Sequence, residues 1–424
     1  MEKTLIHNNQ ITNEKKNKKQ GKRRFRNYFK KNYTKVKNKI TKENIISKDK
    51  SEKENQAVKK VRNPGVDIIR IISMYNIIIF HYINFGKPFR RFPKYTRELW
   101  LLFCFINWHN DAFILISGII GYKTNKYSNL LYLWLVVLFY SVAMHKYVYY
   151  YKKNYLIKYA MFKEYYPVVF KGYWYFTSYF DMYIFLPVIN KGIASLSKYE
   201  FNLIILSTLG IFSFWKYYNN PSEDIFFLAD GRSITWFLAL YLMGAYIGKY
   251  QVNYLGIKKY IYCFICLLLF IISSYLYFKA SINEFFLNIG NKRIQLPKVF
   301  KNIINGRFDS LVKTIQSITV CLFCMQLNYN KYIAKIICFC GPLIFQIYLI
   351  HHHKLIIPTV LERVFDKHST FPSYNDLLSF LLIRSFKTFI ICIFIDYLRH
   401  LLFSLLRIRK LLIFLENKMK EKFS

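Results

Sequence analysis

The chain has 424 residues, is 54% hydrophobic and 20% aromatic, and carries a formal net charge of +40 with a mean hydropathy of +0.13. That apolar content is high for a soluble protein and fits a polytopic membrane protein. The charge alone would suggest nucleic acid as a partner, but the basic residues belong to no folded module that could present base contacts, so none is expected. Residues 1–63 form a basic tail: residues 1 to 62 hold 17 Lys and 4 Arg against 6 acidic residues. The composition predicts a disordered cytosolic segment attracted to anionic lipid. No secretory signal precedes it, since the first apolar run starts near residue 66.

About ten membrane-spanning helices in one bundle follow, an all-α integral membrane architecture. Apolar runs place them at 66–86, 99–122, 129–148, 173–190, 201–216, 234–250, 259–278, 310–328, 336–358 and 377–404. The fourth, fifth and sixth are weaker, because they run short or carry Asp181. The membrane domain covers 64–404, and 405–424 is a basic C-terminal tail. The N-terminal tail and the run Arg399, Arg407, Arg409 and Lys410 put both ends in the cytosol, most simply at the plasma membrane. Two C-x-x-C pairs, Cys263/Cys266 and Cys321/Cys324, lie inside apolar runs and read as small apolar filler. No metal site is expected from them.

Charged and titratable groups inside those runs carry the chemistry. Arg70 and His81 lie eleven residues apart in the first span. That spacing puts both on one helix face, about 16 Å apart along the axis. Asp67 stands three residues before Arg70 and can pair with it. Snorkelling to the cytosolic headgroups would account for Arg70, and a lone His81 could simply bond a neighbouring helix. In the second span Ser117 and Gly118 permit close helix approach, and Asp111 is either a solvated carboxylate or a group that orients His81 or binds sugar hydroxyls. Trp174, Tyr175, Tyr179 and Tyr183 line the fourth span as membrane-belt anchors or sugar-stacking rings, with Asp181 among them as a structural pair or a substrate contact. His351, His352 and His353 form a run inside the ninth span; adjacent residues point different ways around a helix and cannot all ligate one metal.

The R-x10-H spacing of Arg70 and His81 resembles the signature of the acyltransferase 3 family of multi-pass membrane O-acyltransferases. Further stretches resemble family segments in order: NDAFILISGIIGYK (110–123), LWLVVLFYSV (133–142), GYWYFTSYFDMYIFLPVINKGI (172–193), WFLALYLMGAYIGKY (236–250) and IYLIHHH (347–353). Together they span about residues 64 to 400, and the subgroup they resemble acetylates surface polysaccharides and exopolysaccharides. The chain departs from the family at the start of the third helix, where only Lys123 and Lys126 stand near the usual basic cluster, and at Gly248-Lys249.

The resemblance implies acyl transfer from an acyl-CoA, with acetyl-CoA as donor, to a carbohydrate hydroxyl. Such a reaction needs a base for the hydroxyl proton, donors for the oxyanion and a grip on the acyl carrier. His81 is the expected base, or a transient acyl carrier. Arg70 is the expected contact to acetyl-CoA arriving from the cytosol. The late Y-L-I-H segment singles out His351. Acylation of a lipid or small metabolite by the same machinery is the alternative within enzymes, and a transporter or flippase is the alternative outside them.

Overall fold

Asn63 starts the first helix by turning its side-chain oxygen onto the Gly65 amide at 2.8 Å, with Pro64 at the first helical position. The computed structural model describes residues 62–124, 126–151, 158–215, 224–250, 258–287 and 308–423. Of the predicted disordered tail, residues 1–63, all but the last two lie outside them. Helix α1 spans Pro64–Gly86 and ends where Lys87 takes a left-handed conformation at φ 53°. Then come α2 (Thr96–Ile106), α3 (His109–Gly121), α4 (Tyr127–Tyr151), α5 (Lys158–Tyr165), α6 (Trp174–Ser195) and α7 (Lys198–Thr208), the last continued by a π-helical turn to Trp215. The second half has α8 (Ile234–Tyr250), α9 (Lys259–Leu287), α10 (Leu311–Gln326), α11 (Lys331–Cys340), α12 (Ile344–His351), α13 (Tyr374–Leu405) and α14 (Ile408–Phe423).

Among the described residues there are helices and no strands, and helices occupy all ten predicted ranges. Six passes are long and apolar enough to cross a membrane by length and composition: Pro64–Gly86, Pro93–Gly121, Tyr127–Tyr150, Lys259–Ser281, Lys331–His351 and Tyr374–Leu405. The other four are shorter or more polar, so a count of ten crossings goes beyond what length and composition give. α10 is apolar but short, at 16 residues, and carries buried polar side chains. Its buried Gln316 and Ser317 serve a break in the neighbouring pass.

That break corrects the prediction of one continuous helix over 99–122. The chain leaves the helix at Asn107 and restarts at His109. Interrupting a buried helix strands backbone carbonyls, and each must find a donor. The Trp108 ring donates to the Phe105 carbonyl at 3.0 Å and the His109 ring to Ile106 at 2.8 Å. From α10, Gln316 donates to the Cys104 carbonyl at 3.1 Å and Ser317 to that of Trp108 at 2.8 Å. Periodicity cannot reveal such a break, because the side chains that satisfy it look apolar or distant in sequence. The ninth span is also shorter than predicted. Gly341–Leu343 forms a 3-10 turn between α11 and α12, and α12 ends at His351, so the histidine run caps the span instead of lying within it.

Close approach between α3 and α8 is made by glycines. A Cβ on Gly118 would strike the backbone of Tyr241 and Ala245, and one on Gly244 or Gly248 would strike the carbonyls of Leu115 or Ile119. Backbone cannot move aside as a side chain can. Gly244→Ala should therefore cost about 1–3 kcal/mol as overpacking. Thermal melting in detergent checks this against Gly192→Ala, whose new methyl meets nothing within 4 Å and should be neutral or mildly stabilising.

α1 is the central element, in contact with α3, α10, α11, α12 and α13. α14 turns off at Arg407 (φ 52°) and packs on α4, where Glu416 accepts from the Ser128 amide at 3.0 Å.

Candidate active site

α1 carries two polar stations along its length. At the first, Arg70 donates to Asp67 at 2.5 Å, with the Asp67 side chain fully buried and that of Arg70 21% exposed. Asp67 in the first turn also suits the positive end of the helix dipole. Tyr179 of α6 interacts there with Ser117 of α3 and, electrostatically, with Arg70. The Ser117 hydroxyl also donates to the Phe113 carbonyl one turn back, at 3.0 Å.

At the second station, His81 Nδ1 meets His351 Nε2 at 2.9 Å, and His351 Nδ1 meets the Ile347 carbonyl at 2.6 Å. A carbonyl only accepts, so His351 Nδ1 carries a proton and its Nε2 offers a lone pair. His81 must then donate from Nδ1, which leaves the lone pair of neutral His81 on Nε2. The tautomer follows from the bonding network. His352 stacks on His81 with centroids 4.3 Å apart, and Tyr348 stacks on His352 at 5.1 Å. The third histidine turns elsewhere. His353 Nε2 faces Glu164 of α5 at 3.6 Å, and Glu164 also accepts from Ser141. Burial works to raise the Glu164 carboxyl, but the His353 and Ser141 hydrogen bonds outweigh it and hold the group below its ordinary range.

A cavity of about 310 Å³ opens beside His81. His109 and His352 share its wall, Asn84 and Asn110 add amides, and Trp174, Tyr175, Phe308 and Tyr348 add aromatic faces. His109 spends its Nδ1 proton on the Ile106 carbonyl, so its Nε2 is an acceptor. Arg232, just before α8, completes the lining.

Of the residues singled out from sequence, His81, Trp174 and Tyr175 line this cavity, and His351 holds His81 from behind. Arg70, Asp67, Ser117 and Tyr179 gather at the other station. Asp111 stands elsewhere. It is buried, its Oδ1 accepts from the Trp236 ring at 3.5 Å, and its charge is felt by the buried Lys313. That burial removes the solvated-carboxylate alternative, because α3 begins inside the bundle at the break. Asp181 is part-exposed on α6, is absent from the cavity wall, and has Lys171 as its nearby charge. Sequence reasoning missed His109 and Arg232, and named His352 only as one of the histidine run. His109 sat in a run read as continuous helix, and Arg232 lay in a short loop that hydropathy treats as a spacer.

α1 thus presents a guanidinium paired with Asp67 near its start and an imidazole lone pair further along, with amide side chains on the cavity wall. No curated protein and no solved structure matches the chain. The family model described as an acyltransferase domain matches residues 63–397, which takes in both stations and the cavity. The chain belongs to the acyltransferase 3 family, and is a membrane acyltransferase.

Proposed function

We propose that this chain moves an acetyl group from acetyl-CoA to a hydroxyl of a cell-surface or exported carbohydrate, with both chain ends in the cytosol at the plasma membrane. The observation that carries the reading is the His81–His351–Ile347 chain of hydrogen bonds at the cavity. It leaves a lone pair on His81 Nε2, the form a general base needs. The acceptor hydroxyl gives its proton to that nitrogen as its oxygen attacks the thioester carbonyl. Asn84 and Asn110, on the cavity wall, would donate their amides to the oxyanion. The C–S bond then breaks, and the imidazolium returns its proton to the departing thiolate, so no proton is lost or gained overall.

Arg70 grips the CoA part of the donor at the other station. The about 16 Å between Arg70 and His81 suits an extended pantetheine better than two groups acting on one atom. The basic tails and α14, with Arg409, Lys410, Lys418, Lys420 and Lys422, rest on anionic lipid.

The test is transfer of radiolabel from acetyl-CoA to the carbohydrate fraction of membranes that contain the chain, with His81→Ala and Arg70→Ala beside the wild type. Alkali-labile label present with the wild type and lost in both variants supports the reading. Label that persists in His81→Ala sinks the base assignment.

His351 is a positioning residue in this scheme. His351→Ala should lower kcat by about 10²-fold, because an unanchored ring misses the geometry of attack. KM for acetyl-CoA should stay near its wild-type value. His351→Gln, whose amide oxygen can accept from His81 Nδ1, should recover part of the loss, whereas a purely structural role would give no such split.

A further inference from the structure

The charge balance of the cavity is one-sided. Among the described residues, its wall contains Arg232 and three histidines but no carboxylate. Arg232 is exposed, and no described carboxylate lies within ion-pair distance of its guanidinium. The other cation nearby differs. Lys313 is buried and has Asp111 and Asp309 as charged neighbours.

Arg232 is also held in a set place. Its guanidinium lies 5.7 Å from the ring centroids of both Trp174 and Phe308, which stack on each other at 6.0 Å and 25°. The loop before it is strained. Ala229, Asp230 and Gly231 take φ of 48°, 57° and 82° in succession, and L residues rarely adopt such angles. Strain of this kind persists only when neighbours enforce it. Here Asp224 accepts from the Leu228 and Ala229 amides at 2.8 and 2.7 Å, and the Asp230 carbonyl accepts from the Phe308 amide at 3.1 Å. The chain thus maintains an unfavourable turn that sets a guanidinium beside two flat rings at a cavity.

Its place along α1 is given by the cavity wall, which takes Met74 to Phe85 from the second half of that helix. Trp174 opens α6, Arg232 precedes α8, Phe308 precedes α10 and His352 follows α12. All four line that wall, toward the Gly86 end of α1. Arg70, in the second turn of α1, is near its other end.

We propose that Arg232 and the Trp174–Phe308 pair form an acceptor subsite for an acidic sugar, with the guanidinium pairing a carboxylate or phosphate and the rings covering an apolar face of the sugar. A planar fork of donors matches either anion. The assignment rests on the acyl-transfer reading for the word acceptor, but the binding preference can be measured without transfer.

The experiment uses the full chain in detergent and follows binding by calorimetry. Methyl glucuronide and glucose 1-phosphate are each compared with neutral methyl glucoside, and acetyl-CoA is titrated separately. The wild type should prefer at least one charged sugar by about tenfold, the usual weight of a charge-assisted hydrogen bond. Arg232→Gln should erase that preference and leave acetyl-CoA binding unchanged, and Arg232→Lys should keep part of it. The larger of the two charged-sugar effects names the anion. Equal binding of charged and neutral sugars by the wild type, or failure of all three to bind, overturns the proposal. So does an Arg232→Gln variant whose main loss is in acetyl-CoA binding, since the cation would then serve the donor. A chain with the charge preference but no acetyl transfer would refute the proposed function and leave the subsite standing.

Discussion

His81→Ala should leave a folded protein that still binds acetyl-CoA but transfers its acyl group about 10²- to 10⁴-fold more slowly, the usual contribution of a positioned general base. The size follows from how fully the site commits this ring. His81 Nδ1 is bound to His351, whose other nitrogen is bound to a backbone carbonyl, so neither ring can flip without breaking a buried hydrogen bond. His352 covers one face of His81. Neither of the other two imidazoles on the cavity wall bonds to a second histidine. His109 lines the cavity but anchors only to its own helix break, so it replaces His81 poorly. Rate measurements with saturating acetyl-CoA check the prediction, with thermal melting as a control for folding. A rate within about threefold of wild type would exclude base catalysis by His81, because general bases contribute far more than that. Loss of acetyl-CoA binding in His81→Ala would place the ring in the donor site instead.

Much of this architecture was legible in the sequence, for identifiable reasons. Long apolar runs must be helical in lipid, so helices could be placed in all ten ranges. The eleven-residue spacing of Arg70 and His81 put them on one face, because α1 is unbroken from Pro64 to Gly86. Three features were hidden. The break at Asn107–Trp108 depends on donors from α10, two hundred residues away in the chain, and hydropathy does not register pairing. The choice among His351, His352 and His353 depended on where α12 stops. Once it stops at His351, the three rings go to His81, the cavity and Glu164. Arg232 depended on a turn with three successive positive φ values, which a sequence without repeated glycine does not announce. In each case the missing information was tertiary.

The same limit applies to Arg399, and there the expected consequence for stability is large. From sequence it counted among the C-terminal basic charges that orient the chain. In the structure it is buried within α13, donates through Nε and Nη2 to the two Asp396 oxygens at 2.8 and 3.0 Å, and donates to Tyr132 at 3.1 Å. Tyr140 donates to Asp396 at 2.8 Å, so the pair links α13 to α4. A charge neutralised in this way says little about which side is cytosolic; Arg407, Arg409 and Lys410, beyond the span, are the C-terminal charges that bear on it. Removing one partner should be costly, because the other charge stays buried without compensation. Arg399→Ala and Asp396→Ala are each expected to destabilise the fold by about 3–5 kcal/mol. Removing both should be gentler. The double variant Asp396→Leu/Arg399→Met fills the space without charge, and should lie within about 1–2 kcal/mol of wild type, since apolar replacements of buried pairs are often neutral. Unfolding in detergent, followed through a double-mutant cycle, measures the difference. Single and double variants that fall equally would show that Tyr132 and Tyr140, left without their charged partners, carry the cost. A double variant that is stable but inactive would mean that the pair also acts on the reaction through the α4–α13 contact.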